Sequence, residues 1–225
     1  MNYRNTRCYH NLEKRQYEGI GEYQFPQIQP SKIDCEGVPL VGFNYALTEK
    51  NPEDKILHFF VDDYQFERVW NKPETYLGVL GRFKAVISPD FSICLDFPKA
   101  IQLYNNYRKQ WCGAFWQENG ITVIPSVRWG DDDSFDWCFD GVPRNSMICI
   151  STVGTTREKD VREKWIKGYY KALEVLEPSY ILFYGKVYDF MDVPVPYTCA
   201  VNQNTLNRKL AREKLNAEMG LNEKI

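Results

Sequence analysis

Six short apolar runs, each strand-sized and none long enough for a helix, punctuate this chain. They are VGFNYAL (41–47), ILHFFV (56–61), KAVIS (84–88), ITVIPSV (121–127), MICIS (147–151) and YILFYG (180–185). They are continuously apolar rather than alternating, which is the pattern of parallel strands buried on both faces. PYTCAV (196–201) is a weaker seventh run. Parallel neighbours need long crossovers, so the segments between the runs should be helical.

The helix signals sit where that requires. Segment 97–119 places Ala100, Ile101, Tyr104, Tyr107, Trp111, Ala114 and Phe115 at helical spacing, with Pro98 suited to the first turn and Gly120 as a stop. Segment 157–176 carries Val161, Trp165, Tyr169, Leu173 and Leu176 on one face, with Thr155 and Glu158 in capping-box spacing and Pro178 beyond its end. Shorter helices fit 64–70, 73–82 and 134–140. The expectation is an α/β fold with a largely parallel sheet of six to seven βα units, a small or incomplete (β/α) barrel ahead of a doubly wound sheet. Residues 1–37, mixing charge, Gln and Pro, read as an irregular arm on an α/β domain spanning 38–203. Residues 204–225 read as a charged terminal helix.

Composition narrows the function classes. With 28 Lys and Arg against 30 Asp and Glu, the net charge of -2 carries no bulk bias toward nucleic acid or a membrane surface. Nowhere is there a run of about 18 apolar residues, and the N-terminus lacks an apolar signal region, so the expected home is the cytoplasm. Seven cysteines without CxxC spacing argue against zinc, iron–sulfur and disulfide frameworks. Only two histidines are present, His10 in the arm and His58 inside an apolar run, where a satisfied core residue is expected. No Walker loop, no G-x-S-x-G and no G-x-G-x-x-G occurs.

Parallel α/β folds bind ligands at the carboxyl ends of their strands, and five of the runs end in polar residues or glycine. Asp62 and Asp63 follow the second run; Ser88 and Asp90 follow the third. Asp63 and Asp90 are the candidates for acid–base work or for a divalent cation, Mg or Mn, held through oxygen. The competing role of Asp63 is simple helix capping. Arg128, Trp129, Gly130 and Asp131 follow the fourth run. An Arg fork suits carboxylate or phosphate, and an indole offers a stacking face, although Arg128 could equally orient a local carboxylate. Ser151, Thr152, Gly154 and Thr155 lead toward a helix N-terminus, an anion-friendly position, with capping by Thr155 as the alternative. Gly185 and Lys186 close the last run.

The blocks FVDDYQFERVW, FKAVISPDFS, GAFWQENGITVIPSVRWGD, CFDGVPRNS and ILFYG resemble the signature blocks of the DUF4417 family, over residues 40 to 190 or so. Asp62, Asp63, Ser88, Asp90, Arg128, Trp129, Gly130 and Gly185 match its motif positions as they stand. The resemblance implies a context of phages and other mobile elements, and it brings no established catalytic roles.

Three functions stay open at this level. One is a site for a phosphate-bearing ligand, a nucleotide or nucleic-acid end, with metal-assisted hydrolysis at Asp63 and Asp90. Another is a non-catalytic binding protein, a nucleotide sink or an adaptor. The third is nucleic-acid binding through Arg4, Arg7, Lys14 and Arg15 of the arm and Arg208, Lys209, Arg212 and Lys214 of the tail.

Overall fold

The computed structural model describes residues 9–155 and 159–200; the expected C-terminal helix lies outside them. The apolar runs form eight parallel strands: β1 (Leu40–Gly42), β2 (Ile56–His58), β3 (Ala85–Ile87), β4 (Val123–Ile124), β5 (Ser126–Val127), β6 (Met147–Ser151), β7 (Tyr180–Tyr184) and β8 (Tyr197–Ala200). They make two four-stranded sheets in chain order, β1-β2-β3-β4 and β5-β6-β7-β8, with every pairing parallel.

A single residue separates the sheets. Pro125 divides the run ITVIPSV because it has no N–H for a ladder. Upstream, the Ile124 carbonyl accepts from the Ser88 N–H at 2.9 Å; downstream, the Pro125 carbonyl accepts from the Cys149 N–H at 2.8 Å. The chain thus leaves one sheet on the β3 side and enters the next on the β6 side.

Four helices lie among the described residues: α1 (Asp63–Asn71) and α2 (Pro73–Leu80) between β2 and β3, α3 (Lys99–Glu118) between β3 and β4, and α4 (Lys159–Leu176) between β6 and β7, whereas the links β1–β2, β5–β6 and β7–β8 carry no described α-helix. Pro73 opens α2 at its first turn, whereas Pro98 takes the capping position of α3, one residue before the place expected for it. Gly120, with φ of +80°, ends α3 in the left-handed region that favours glycine. The helix expected at 134–140 is only a 3-10 turn at Asp132–Ser134 followed by further turns. Gly141 at φ +80° and Pro143 leave too few residues for a stable longer helix.

Both faces of the sheets are covered, which explains the unbroken apolar runs. One face carries Leu40, Ile56, Ala85, Ile87, Ile124, Met147, Cys149 and Leu182, a single cluster drawn from both sheets and closed by Cys35 of the arm. The other face divides in two. Val41, Leu57, Val86 and Val123 pack with Phe66, Trp70, Trp111 and Trp116. Val127, Ile148, Ile150, Ile181 and Phe183 pack with Trp129, Trp137, Tyr169 and Leu176. Burying one such side chain contributes about 1.5–3 kcal/mol. The arm is part of this packing: Phe25 and Ile28 are buried, and the Ile28 N–H reaches the Gly141 carbonyl at 2.9 Å.

Helix α3 departs from an amphipathic surface helix. Besides its aromatics it buries Gln102, Asn105, Asn106, Arg108, Lys109 and Gln110, because the 134–141 turns cover it at Asn106 and Gln110 while the 91–97 segment and α1 cover it at Gln102, Asn105 and Arg108. None of the described helices is long and apolar enough to cross a membrane.

Candidate functional site

The carboxyl ends of strands from both sheets meet at an open cleft of about 520 Å³. The β2 end contributes Phe60, Val61 and Asp62, and α1 adds Gln65. Asp90 and Ser92 come from the segment after β3. Arg128 follows β5, Ser151 and Val153 follow or end β6, and Tyr184 ends β7. No one element builds this site; the parallel order does, since it delivers every strand end to one side.

Asp90 and Arg128 are its electrostatic centre. Asp90 is 7% exposed, and its Oδ2 accepts from Arg128 Nη1 at 2.7 Å. The Asp90 charge raises the already high pKa of the guanidinium, with smaller contributions from Cys94 and Asp63. Arg128 keeps over a third of its side chain exposed, so the pair has a buried anion behind a cation that faces the cleft.

Asp63, the first residue of α1, spends both carboxylate oxygens on Ser92. Oδ2 accepts from the Ser92 N–H at 3.0 Å and Oδ1 from the Ser92 hydroxyl at 2.9 Å. The chain of bonds continues, because Asn105 Nδ2 donates to the Ser92 carbonyl and Arg108 Nη2 donates to Asn105 Oδ1 at 2.7 Å. Arg108 in turn pairs with Glu67 and lies over the Phe91 ring, 3.9 Å from its centroid. This network ties the 90–93 segment to α1 and α3 and so holds Asp90 in place. Asp62 is exposed at the rim, with Gln65 Nε2 at 3.4 Å from its Oδ2.

The other strand-end residues divide. Ser88 is buried, and its Oγ accepts from the Ser126 N–H at 2.8 Å, so it bridges β3 to the chain just past the Pro125 break. Trp129 is 8% exposed and packs against Phe139 and Trp165. Gly130 donates its N–H to Ser134 Oγ at 2.9 Å. Asp131 is exposed in a separate hollow with Asp132, Asp133, Glu163, Lys164 and Lys167. Thr152 is buried, its N–H on the Tyr184 carbonyl at 3.0 Å, and the Thr155 hydroxyl donates to the Thr152 carbonyl at 2.8 Å. Gly154 turns this loop at φ +82°, with open space where a Cβ would stand. Gly185 has φ +122°, and a Cβ there would meet Thr152 Oγ1 at 2.3 Å, so only glycine fits. Lys186 is exposed and does not line the cleft. The loop's continuation, with Thr156 and Glu158, lies outside the described residues.

Two contributions were not legible as site features. Phe60 and Tyr184 stack on each other, 4.6 Å between centroids and 19° between planes, at the cleft wall. His58 lies against both rings, takes the Phe60 N–H on its Nδ1 at 3.2 Å, and is driven down to about 4 by burial. Lys109 of α3 is fully buried, and its Nζ has no hydrogen-bond partner. Burial lowers its pKa to about 8, against the attraction of Cys138 and Asp90 and with the repulsion of Arg128. A lysine amid KQW on a helix reads as a solvated face, and nothing in the local sequence says otherwise.

Among the described residues no group of three or more His, Cys, Asp and Glu is placed to hold a metal ion. Of the arm cations named above for nucleic-acid binding, the two that are described are engaged internally, Lys14 with Glu74 and Arg15 with Glu118. Arg4, Arg7 and the tail cations lie outside the described residues.

Comparison with known proteins finds relatives among phage proteins. The Gene 1 protein of Mycobacterium phage L5 is 38% identical over 184 residues, covering 79% of each chain. The Gene 1 protein of Mycobacterium phage D29 is 40% identical over 140 residues, 62% of this chain and 52% of the relative. No solved structure matches. The family model described as a domain of unknown function, DUF4417, matches residues 17–202, and the chain belongs to that family.

Proposed function

We propose that the cleft binds a phosphate-bearing ligand, a nucleotide or nucleic-acid end, and that it does so as a binding site first. The observation that carries this reading is Arg128: a buried carboxylate fixes its guanidinium while the rest of the side chain faces the cleft. A fork held in this way loses little freedom on meeting an anion. The Ser151 hydroxyl on the same wall is a second donor, and the Phe60–Tyr184 pair supplies the flat apolar surface that a base uses. The sequential parallel order and the inner cluster shared by both sheets support an incomplete (β/α) barrel, whose strand ends are the usual place for such a site.

Non-catalytic binding is favoured over metal-assisted hydrolysis by the partners of the two carboxylates. For Asp63 and Asp90 to hold Mg²⁺ or Mn²⁺, Asp63 must release Ser92 and Asp90 must release Arg128. The six free thiols of the described chain suit the reducing cytoplasm in which this reading places the protein.

Calorimetric titration with AMP and with inorganic phosphate tests the proposal. Arg128→Gln should weaken both by about tenfold or more, since a hydrogen bond to a charged group contributes about 1.5–3 kcal/mol. Binding unchanged in Arg128→Gln would remove the reading. Turnover that requires Mg²⁺ or Mn²⁺ and is lost in Asp63→Asn would restore the hydrolase.

A further inference from the structure

We infer that the ligand is a dinucleoside phosphodiester, two bases joined through one phosphate, rather than a single nucleotide. This rests on the anion-binding reading of Arg128 and extends it along the surface. The cleft does not end at the guanidinium. A second cavity of about 140 Å³ begins there, bounded by Asp90, Arg128, Ser151, Thr155 and Trp165. It shares Trp129 and Trp165 with an apolar hollow of about 150 Å³, whose other walls include Ile93, Leu95, Val161 and Lys164. The first two cavities share Asp90, Arg128, Ser151 and Val153 and the last two share Trp129 and Trp165, so Arg128 lies between two aromatic ends, the Phe60–Tyr184 stack on one side and Trp165 on the other.

Charge points the same way. Among the described residues Arg128 is the only cation on the walls of the first two cavities; it is already opposed by Asp90, and Asp62 adds an exposed negative charge at the rim. That balance suits the single charge of a diester and disfavours the nearly doubled charge of a terminal phosphate, whose second ionisation lies near pH 6. The far end is apolar in a manner solvent does not favour: Leu95 is 51% and Val161 42% exposed. A base laid there would cover apolar side chains while its polar edge stayed in water. An extended peptide would instead place backbone N–H and C=O groups against a wall whose described side chains offer as polar groups Lys164 and two indole N–H donors, with no side-chain acceptor for the peptide N–H groups.

The test compares adenylyl-adenosine with AMP by titration of the full chain. The dinucleotide should bind at least about tenfold more tightly, the increment expected of one further stacked base. Leu95→Asp, a change at a half-exposed position, should remove that advantage and leave AMP binding and the urea midpoint as they were. Equal affinity for the two ligands, or a full advantage retained in Leu95→Asp, overturns the inference while Arg128-dependent AMP binding leaves the anion site standing. Failure of adenylyl-adenosine, AMP and inorganic phosphate alike removes both. A short peptide with an apolar C-terminal residue and free carboxylate that binds more tightly than adenylyl-adenosine would also overturn it and make these cavities a protein-docking site.

Discussion

The Trp129 indole rests on the backbone of Gly168: a Cβ built on that glycine would come within 2.2 Å of the ring. This contact lets α4 approach the segment that follows β5, and it turns Trp129 inward beside Arg128, which faces out. The aromatic surface of the cleft therefore comes from Phe60 and Tyr184 instead.

Gly168→Ala sets two effects against each other. Alanine gains about 1 kcal/mol over glycine within a helix, while inserting a methyl into a packed core costs about 1–3 kcal/mol or more. With a rigid ring at 2.2 Å the second should win. Urea unfolding followed by tryptophan fluorescence should show a net loss, with a shifted native emission as Trp129 moves.

Asp90→Asn should destabilise by about 2 kcal/mol, less than the loss of a fully buried ion pair, because water reaches the stranded Arg128. In the double variant with Arg128→Gln the two losses should fall well short of adding, and a double-mutant cycle in urea measures the coupling. Additive losses would mean that the pair contributes nothing.

What the sequence showed and what it hid have the same physical origin. Strand ends were legible because continuous apolar runs mark both the strands and the places where they stop, so Asp62, Asp90, Arg128 and Ser151, which line one cleft, could be grouped from their positions alone. Which way each side chain turns was not, since β5 has two residues and its facing is set by the break at Pro125. Phe60 and Tyr184 looked like strand interior because an aromatic at the last turn of an apolar run carries no sign of being at the rim. Lys109 was hidden because its surroundings, with Cys138, Asp90 and Arg128, come from segments distant along the chain.

His58 should make the fold sensitive to acid. Its pKa is lowered by burial from 6.5 to about 4, so between those values the unfolded chain holds a proton that the folded one refuses. Stability from this group is complete above pH 6.5 and is lost as the pH falls toward 4, a loss on the order of 3 kcal/mol. Midpoints in urea measured from pH 7 to pH 4 should fall more steeply for the natural chain than for His58→Phe. Equal slopes would place the proton elsewhere.

Lys109 should show the opposite of an ordinary core residue. Its ammonium is buried without a partner, with Asn106 Oδ1 and Gln110 Oε1 on the same helix also unpartnered. Its pKa, lowered from 10.5 to about 8, means that the unfolded chain binds the proton more strongly between those values. The penalty is therefore full below pH 8 and is relieved as the pH rises toward 10.5. Lys109→Met should stabilise the fold at pH 7 by on the order of 3 kcal/mol, and the gain should shrink by pH 10. Lys109 also attracts Asp90, and this partly offsets the carboxylate's hold on the cation that faces the cleft. The same variant should then bind phosphate and AMP several-fold more weakly while melting at a higher temperature. Raised stability with unaltered binding would make Lys109 a structural remnant, and lowered stability would mean that its ammonium has a partner after all.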